Sequence, residues 1–307
     1  IKILSYAAAV LVPVFFVGIS LKYTTHDYFS NKSVLIAQPI LPGAAKAILT
    51  LDNGETINLN KETADALQTI EGTNIQIDST TLNYQLAQST SVSPKPVYNK
   101  VEIPRGGEYA LVLSDGTKVH LNSMSSLRFP VAFTTGKREV ELQGEAYFEV
   151  SKTGQPFIVN ANGIQVEVLG TTFNISAYPD EEYQTTLVNG SVKVSAEKGE
   201  SLILKPSQQA TIALGSNSIQ VRTVDTSFYT SWVKGKINFK DQRLEDIMKT
   251  LSRWYDMNVV YENEKLKNIR FGCNLNRYEE ITPFVKLLEK TEEVHVKIEG
   301  NTITFHN

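Results

Sequence analysis

Cysteine occurs once in the chain, at Cys273, so no internal disulfide framework exists and no cysteine-based zinc spacing can be written. Histidine is nearly as sparse: His26, His120, His295 and His306 stand singly in unrelated segments. His120 falls on the polar side of its strand pattern and reads as a surface residue. Neither sign of charge dominates, because 30 basic and 33 acidic residues leave a net −3. The basic stripe that would bind nucleic acid directly is absent. No G-x-S-x-G elbow, Walker loop or G-x-G-x-x-G opening a helix is present. The glycine and lysines of "VKGKI" (233–237) read as a turn before a strand. Tyr147, Phe148 and Phe173 are spread through strands, where β propensity explains them without a base-stacking platform. No cofactor is expected.

A long uncharged run occurs once. Between Lys2 and Lys22 lie the 19 residues "ILSYAAAVLVPVFFVGISL", enough at about 1.5 Å per residue to cross a hydrocarbon core roughly 30 Å thick. Pro13 is tolerated in such a helix. No A-x-A-like site follows to make the run a signal peptide, and its apolar residues go all round, unlike a buried soluble helix. Residues 1–22 are therefore expected to form a transmembrane helix, and 23–46 a tether. Lysines at both ends leave the positive-inside rule undecided. The chain opens on Ile1 rather than Met, so residues upstream of the anchor are expected.

From Ala47 onward the pattern is β. "AILTLDNGETINLN" alternates apolar and polar residues around Asn53–Gly54, and 62 positions later "YALVLSDGTKVHLN" does so around Asp115–Gly116. Both dipeptides signal a hairpin whose turn needs φ > 0 at its two central residues. Leu49, Leu51, Leu59 and Asn60 align with Leu111, Leu113, Leu121 and Asn122, which points to an internal duplication. A leading β segment and Ser/Pro-rich connector thus occupy 47–99. Residues 100–225 continue as short strands separated by turn signals, with no helical period. This predicts a mainly β module, either a sandwich or a solenoid-like stack.

Composition shifts near Trp232. "DQRLEDIMKTLSRWY" sets Leu244, Ile247, Met248, Leu251 and Trp254 on one helical face, with Asp241 as candidate N-cap. "MNVVYE" and "IRFGCNL" read as strands. "TPFVKLLEK" begins with Thr282 as cap and Pro283 at the first helical position, and "VHVKIEGNTITFHN" closes as a hairpin. Residues 232–307 therefore predict a small α+β domain of order βαββαββ.

Glu145 and Glu149 of "GEAYFEV" invite comparison with glycosidase carboxylates. Their strand positions place them roughly 13 Å apart, whereas such pairs need about 5–5.5 or 6.5–9.5 Å. They read as a solvated face.

Several stretches, taken together, resemble one family. "IPRGGEYALVLSDGTKVHLNSMSSLRFP", "REVELQGEAYFEV", "PFIV", "VEVLGTTFNISAY", "TTLVNGSVKV" and "PSQQATI" are similar to the FecR family of anti-sigma factors in its Bacteroidetes style. The likeness is dense over 100–215. Residues 232–307 resemble the companion domain, which is similar to the secretin/TonB short N-terminal domain. The resemblance implies a single-pass inner-membrane regulator with most of its mass in the periplasm. It implies two partners: the signalling domain of a TonB-dependent outer-membrane transporter, and an extracytoplasmic-function sigma factor held by a cytoplasmic domain that this chain lacks. A partner strand could add to an exposed sheet edge, and Thr302, Ile303, Thr304 and Phe305 are the candidate edge.

The resemblance also bears on Gly170–Thr171, since some members cut themselves at a matching Gly-Thr bond. Glycine admits backbone geometries closed to other residues, and threonine supplies a hydroxyl. The competing reading, preferred here, is a strand corner or bulge that needed glycine. The alternative function is a tethered periplasmic glycan-binding or envelope-structural module, which predicts exposed aromatics on one strand face. A hydrolase lacks its constellation.

Overall fold

The computed structural model describes residues 40–60, 67–70, 73–85, 96–134, 136–196 and 199–307. The transmembrane helix expected at 1–22, residues 23–39 of the tether, and His26 lie outside the described residues. Among those described, no helix is long and apolar enough to cross a membrane.

The leading segment holds β1 (Ala44–Ala45), β2 (Ala47–Thr50), β3 (Thr56–Leu59), β4 (Leu67–Ile70), β5 (Thr73–Ile77) and β6 (Thr81–Gln85). Next come β7 (Tyr98–Glu102), β8 (Gly107–Val112), β9 (Lys118–Leu121), β10 (Ser126–Pro130) and the 12-residue β11 (Arg138–Glu149). Four strand pairs complete the module: β12 (Phe157–Ala161) with β13 (Ile164–Val168), and β14 (Thr172–Ala177) with β15 (Tyr183–Asn189). The last two are β16 (Val192–Ala196) with β17 (Ser201–Leu204), and β18 (Gln208–Ile212) with β19 (Gln220–Thr223).

These strands make two layers. The first runs β3-β2-β7-β10-β11-β12-β13-β16-β17. The second runs β4-β5-β6-β8-β9-β11-β14-β15-β18-β19. β11 belongs to both: its first half pairs with β10 and β12, and from Gly144 onward it pairs with β9 and β14. Successive strand pairs after β11 alternate between layers, so the layering is a sandwich and the winding is solenoid-like. One apolar core lies between the layers. Tyr84 of the second meets Phe129 of the first edge-on at 5.1 Å, and Phe148 meets Phe157 at 6.2 Å.

The duplicated hairpins share their turn, but its geometry differs from the two-residue form expected. Leu51 and Glu55 close the first, Leu113 and Thr117 the second, and Gly54 and Gly116 each donate back to the leucine carbonyl at 2.9 Å. Only the glycines have positive φ, +85° and +83°, while Asn53 and Asp115 do not. This is a three-residue loop with a left-handed glycine. In each copy the acid or amide caps the strand that follows: Asn53 Oδ1 accepts from Glu55 N (2.8 Å) and Asp115 Oδ1 from Thr117 N (2.9 Å).

A short helix α1 (Ser227–Thr230) and a 3-10 turn (Ser231–Lys234) lead into the second domain. It comprises β20 (Lys236–Arg243), α2 (Leu244–Trp254), β21 (Asn258–Tyr261), β22 (Arg270–Asn276), α3 (Thr282–Glu289), β23 (His295–Glu299) and β24 (Thr302–His306). The order is the βαββαββ expected. The five apolar residues read onto one face of α2 are its buried residues. Asp241 is not its cap. It sits at a β20 bulge with φ +50°, because the strand continues to Arg243, which precedes the helix. α3 likewise starts one residue early, with Ile281 at the cap position and Pro283 in its first turn.

The candidate edge is corrected. Thr302, Ile303, Thr304 and Phe305 lie in β24, the middle strand of the order β21-β24-β23. β21 pairs with it in parallel and β23 antiparallel, and Ile303 and Phe305 are fully buried. Both of its backbone edges are therefore occupied.

Candidate functional site at the domain junction

The second layer turns a polar face outward. In β11, Ala146 and Phe148 point into the core, which sends Glu145 and Tyr147 the other way. The same alternation in β14 puts Phe173 and Ile175 inside and Asn174 outside. Asn174 is nevertheless 3% exposed, because the second domain and the turn leading into it cover this face.

Glu145 is the centre of the covered patch. Its Oε2 accepts from Asn122 Nδ2 at 2.8 Å and its Oε1 from Asn174 Nδ2 at 3.0 Å. Neither amide is free to turn over. Arg277 Nη2 donates to Asn122 Oδ1 at 3.0 Å, and Trp232 Nε1 donates to Asn174 Oδ1 at 3.1 Å. Arginine and indole have no acceptor to offer, so both Asn Nδ2 groups must face Glu145. Hydrogen bonds thus run in one direction, from the second domain and its lead-in turn toward one carboxyl of the β module. Sequence alternation correctly took Glu145 off the apolar face, but the solvated-face reading is corrected: Glu145 lines a cleft, whereas Glu149 is exposed.

Arg277 is the deepest cation of the junction, 1% exposed. It stacks on Trp254 with Cζ 3.7 Å from the ring centroid, lies 5.6 Å from the Trp232 ring, and donates to the Trp232 carbonyl at 3.1 Å. Its Nη2 is 3.4 Å from a Glu108 carboxylate oxygen, and Tyr278 also donates to Glu108, at 2.9 Å. Arg253 pairs with Glu181 and lies 3.9 Å over the Tyr178 ring.

Burial raises the Glu145 carboxyl above its ordinary range, against the opposing pull of Asn174, Asn122, Arg253 and Arg277. Burial also lowers Arg277, chiefly against the support of Glu108. His120, expected at the surface, is half-buried beside a smaller cavity lined by Trp232, Tyr278 and Glu108. Burial lowers its pKa, with Glu149 and Glu108 pulling it back up.

The main cleft has a volume of about 550 Å³ and includes Glu145, Asn174, Arg253 and Arg277 in its lining. No histidine among the described residues is hydrogen-bonded to a serine, threonine or cysteine, and no group of three metal-ligating side chains occurs among them. Thr302, Ile303, Thr304 and Phe305 take no part in the cleft.

Gly170 and Thr171 lie where the chain passes from β13 in the first layer to β14 in the second. At φ +158° Gly170 is near extended, and a Cβ there would come 2.2 Å from Lys152 Cγ, so close approach supports the corner reading. Thr171 is 5% exposed. Its hydroxyl donates to the Ser191 carbonyl at 3.0 Å.

Comparison with known proteins fits the two-domain geometry. The profile of the FecR protein family matches residues 99–193, and that of the FecR C-terminal domain matches 236–305. Together they cover more than half of the chain. The chain belongs to the FecR family. Two crystal structures of a candidate anti-sigma factor from Parabacteroides distasonis are similar to it, at 26% and 25% identity and a TM-score of 0.63 in each case. Each likeness covers 68% of this chain and 98% or 99% of the other. No curated protein matches.

Within this FecR-family chain, Asn122, Glu145 and Asn174 fall in the FecR match, and Arg253 and Arg277 in the C-terminal match. Trp232 lies between the two. None of these junction contacts was predicted from sequence. The available signal was that the chain has only two tryptophans, both in its second half, where buried indoles call for acceptors.

Proposed function

We propose that the chain is the sensing part of a sigma-factor regulator. It takes its signal from the N-terminal signalling domain of a TonB-dependent outer-membrane transporter and controls an extracytoplasmic-function sigma factor across the inner membrane. The observation that carries this reading is the FecR module followed by the FecR C-terminal domain in sequence, together with the likeness to the anti-sigma factor structures from Parabacteroides. The polar character of the junction supports it, because such interfaces within a chain resemble transient rather than obligate ones. A partner strand joining by β-augmentation would use an outer edge, such as those of β21 or β23, since β24 is enclosed.

The test uses the chain as bait in an envelope extract, with mass spectrometry of captured proteins. Recovery of a TonB-dependent transporter, lost when its N-terminal domain is deleted, supports the reading. No transporter, together with retardation in polysaccharide gels, would replace it with the glycan-binding alternative. That alternative predicts aromatics on an exposed strand face, and the exposed aromatic among the described residues is Tyr278, in a turn.

Turnover catalysis forms no part of the proposal. The one covalent step proposed as an alternative to the corner is a single scission. Thr171 Oγ would add to the Gly170 carbonyl, the C–N bond would break to free the Thr171 amine, and water would hydrolyse the ester to a Gly170 carboxylate. The Thr171 hydroxyl would first have to leave Ser191. A chain cut at 170/171 that stays whole as Thr171→Ala supports this step, whereas an intact wild-type chain leaves the corner alone.

A further inference from the structure

Residues 40–46 precede the β module in sequence and are held by both domains, Ile40 and Gly43 by the second and Ala44–Lys46 by the start of β8. Ile40 is 6% exposed, and its core neighbours are those of the second domain. Gly43 lies so close to Trp254 and the Gly106 carbonyl that a Cβ would approach them to 2.7 and 2.8 Å. Beyond it, Ala44 N donates to Gly106 O at 2.9 Å and Lys46 N to Glu108 O at 3.2 Å, which lays β1 parallel to the start of β8.

The same turn before β8 is fastened to the end of α2. Gly106 N donates to Arg253 O at 2.7 Å. Arg105 Nη2 donates to Ser252 O at 3.1 Å and Met257 O at 2.6 Å, and its Nε is 3.4 Å from the Asp256 carboxylate. Strap, turn and helix end thus meet at one three-way junction. The strap's own structure is a two-residue strand, and Leu41 beside the anchor residue Ile40 is 62% exposed.

We propose that residues 40–46 are a conditional strap, held only while the second domain is docked on the β module. With that domain in place, Ile40 has a core to enter and Gly43 has the Trp254 ring as a wall. With the domain drawn away, what remains is a two-residue parallel strand on β8 and the small Ala45 side chain against the β-module core, too little to hold the segment in water. Whatever displaces the domain therefore releases the strap, and release of the strap weakens docking in turn, by linkage. The identity of the displacing partner rests on the proposed function; the coupling itself does not.

Hydrogen exchange of the full chain tests this without a partner. Arg253→Ala removes the contacts with Glu181 and Tyr178 and touches no strap side chain. Peptides spanning 40–47 and the Gly106 turn are expected to exchange at least tenfold faster together, while those of β11 keep their protection. Where Arg253→Ala alone leaves the turn protected, the same reading is taken from its combination with Arg277→Met. A turn that opens while 40–47 stays protected overturns the proposal. The converse variant is Ile40→Ser, which should accelerate exchange at the Gly106 turn and α2. Wild-type protection there overturns the proposal as well. Failure to capture a transporter would remove the proposed partner and leave these outcomes unchanged.

Discussion

Replacing Glu145 by glutamine is the sharpest test of the junction. The substitution keeps the side chain's size and one carbonyl oxygen but turns the second acceptor into an NH₂ group. Asn122 and Asn174 each present an Nδ2 to Glu145, and each is held that way by a donor-only partner, Arg277 or Trp232. One of the two amides must then face another N–H. A lost hydrogen bond to a charged or buried acceptor costs about 1.5–3 kcal/mol, so Glu145→Gln should weaken the junction by about 2 kcal/mol. The chain's two tryptophans, Trp232 and Trp254, both lie at this junction, so intrinsic fluorescence during urea unfolding reports on it directly. The second half of the cycle is more telling. Trp232→Phe removes the donor that fixes Asn174, which can then rotate and offer Oδ1 to the new glutamine. The double variant should therefore recover about 1 kcal/mol relative to the sum of the singles, a coupling measurable for residues in one network. Strict additivity, or a Glu145→Gln protein as stable as wild type, would refute the one-directional hydrogen-bond chain.

Arg277→Met should cost about 2–4 kcal/mol, because it takes a charged donor from Asn122 Oδ1 and from the Trp232 carbonyl, which keep only the Ser123 and Gly235 N–H groups, and leaves Glu108 without its cation; the same urea titration measures it. In the β module, Asp115→Asn breaks a pair with Arg138 at 2.5 Å in which the side chains are 7% and 1% exposed. A loss of about 3–5 kcal/mol is expected from the stranded buried cation, read as a lowered melting temperature of the module. The raised carboxyl of Glu145 sets a sign for pH: its contribution to stability is full at acid pH and is lost as pH rises through its raised value. Melting of wild type and Glu145→Gln from pH 4 to 8 should show that slope in wild type alone. His120, lowered by burial, works oppositely: its contribution is full above the ordinary histidine value and is lost as pH falls from there through its lowered one.

Much of the architecture was legible because it rests on short-range alternation. The period of two in 109–122 places Leu111, Leu113, Val119 and Leu121 in the core, where they lie, and the helical period of 244–254 identifies the buried face of α2. Besides the shifted helix caps and the half-buried His120, three readings went astray, each for a physical reason. The Asp-Gly signal marks a turn but not the position of the closing pair, which is Leu113 with Thr117 and adds a residue to the loop. The terminal hairpin was taken for a sheet edge because β21, which covers β24, joins it in parallel from more than 40 residues away. Periodicity placed Glu145 opposite the core but carries no information about what lies over that second face. Arg277 and Trp232, which cover it, are distant in sequence and become neighbours only through the tertiary fold.

The single strand shared by both layers also has a consequence for how the module is made. β11 supplies a central rail to each sheet, with strands from earlier in the chain on one side and strands from later on the other. Before Arg138–Glu149 is in place, the earlier strands form partial sheets with unpaired edges. Once it is laid down, the later strands can be added to both layers in turn. Completion of the two layers is therefore bound to a common event, and a lesion in β11 should abolish cooperative folding of the whole module instead of loosening one sheet.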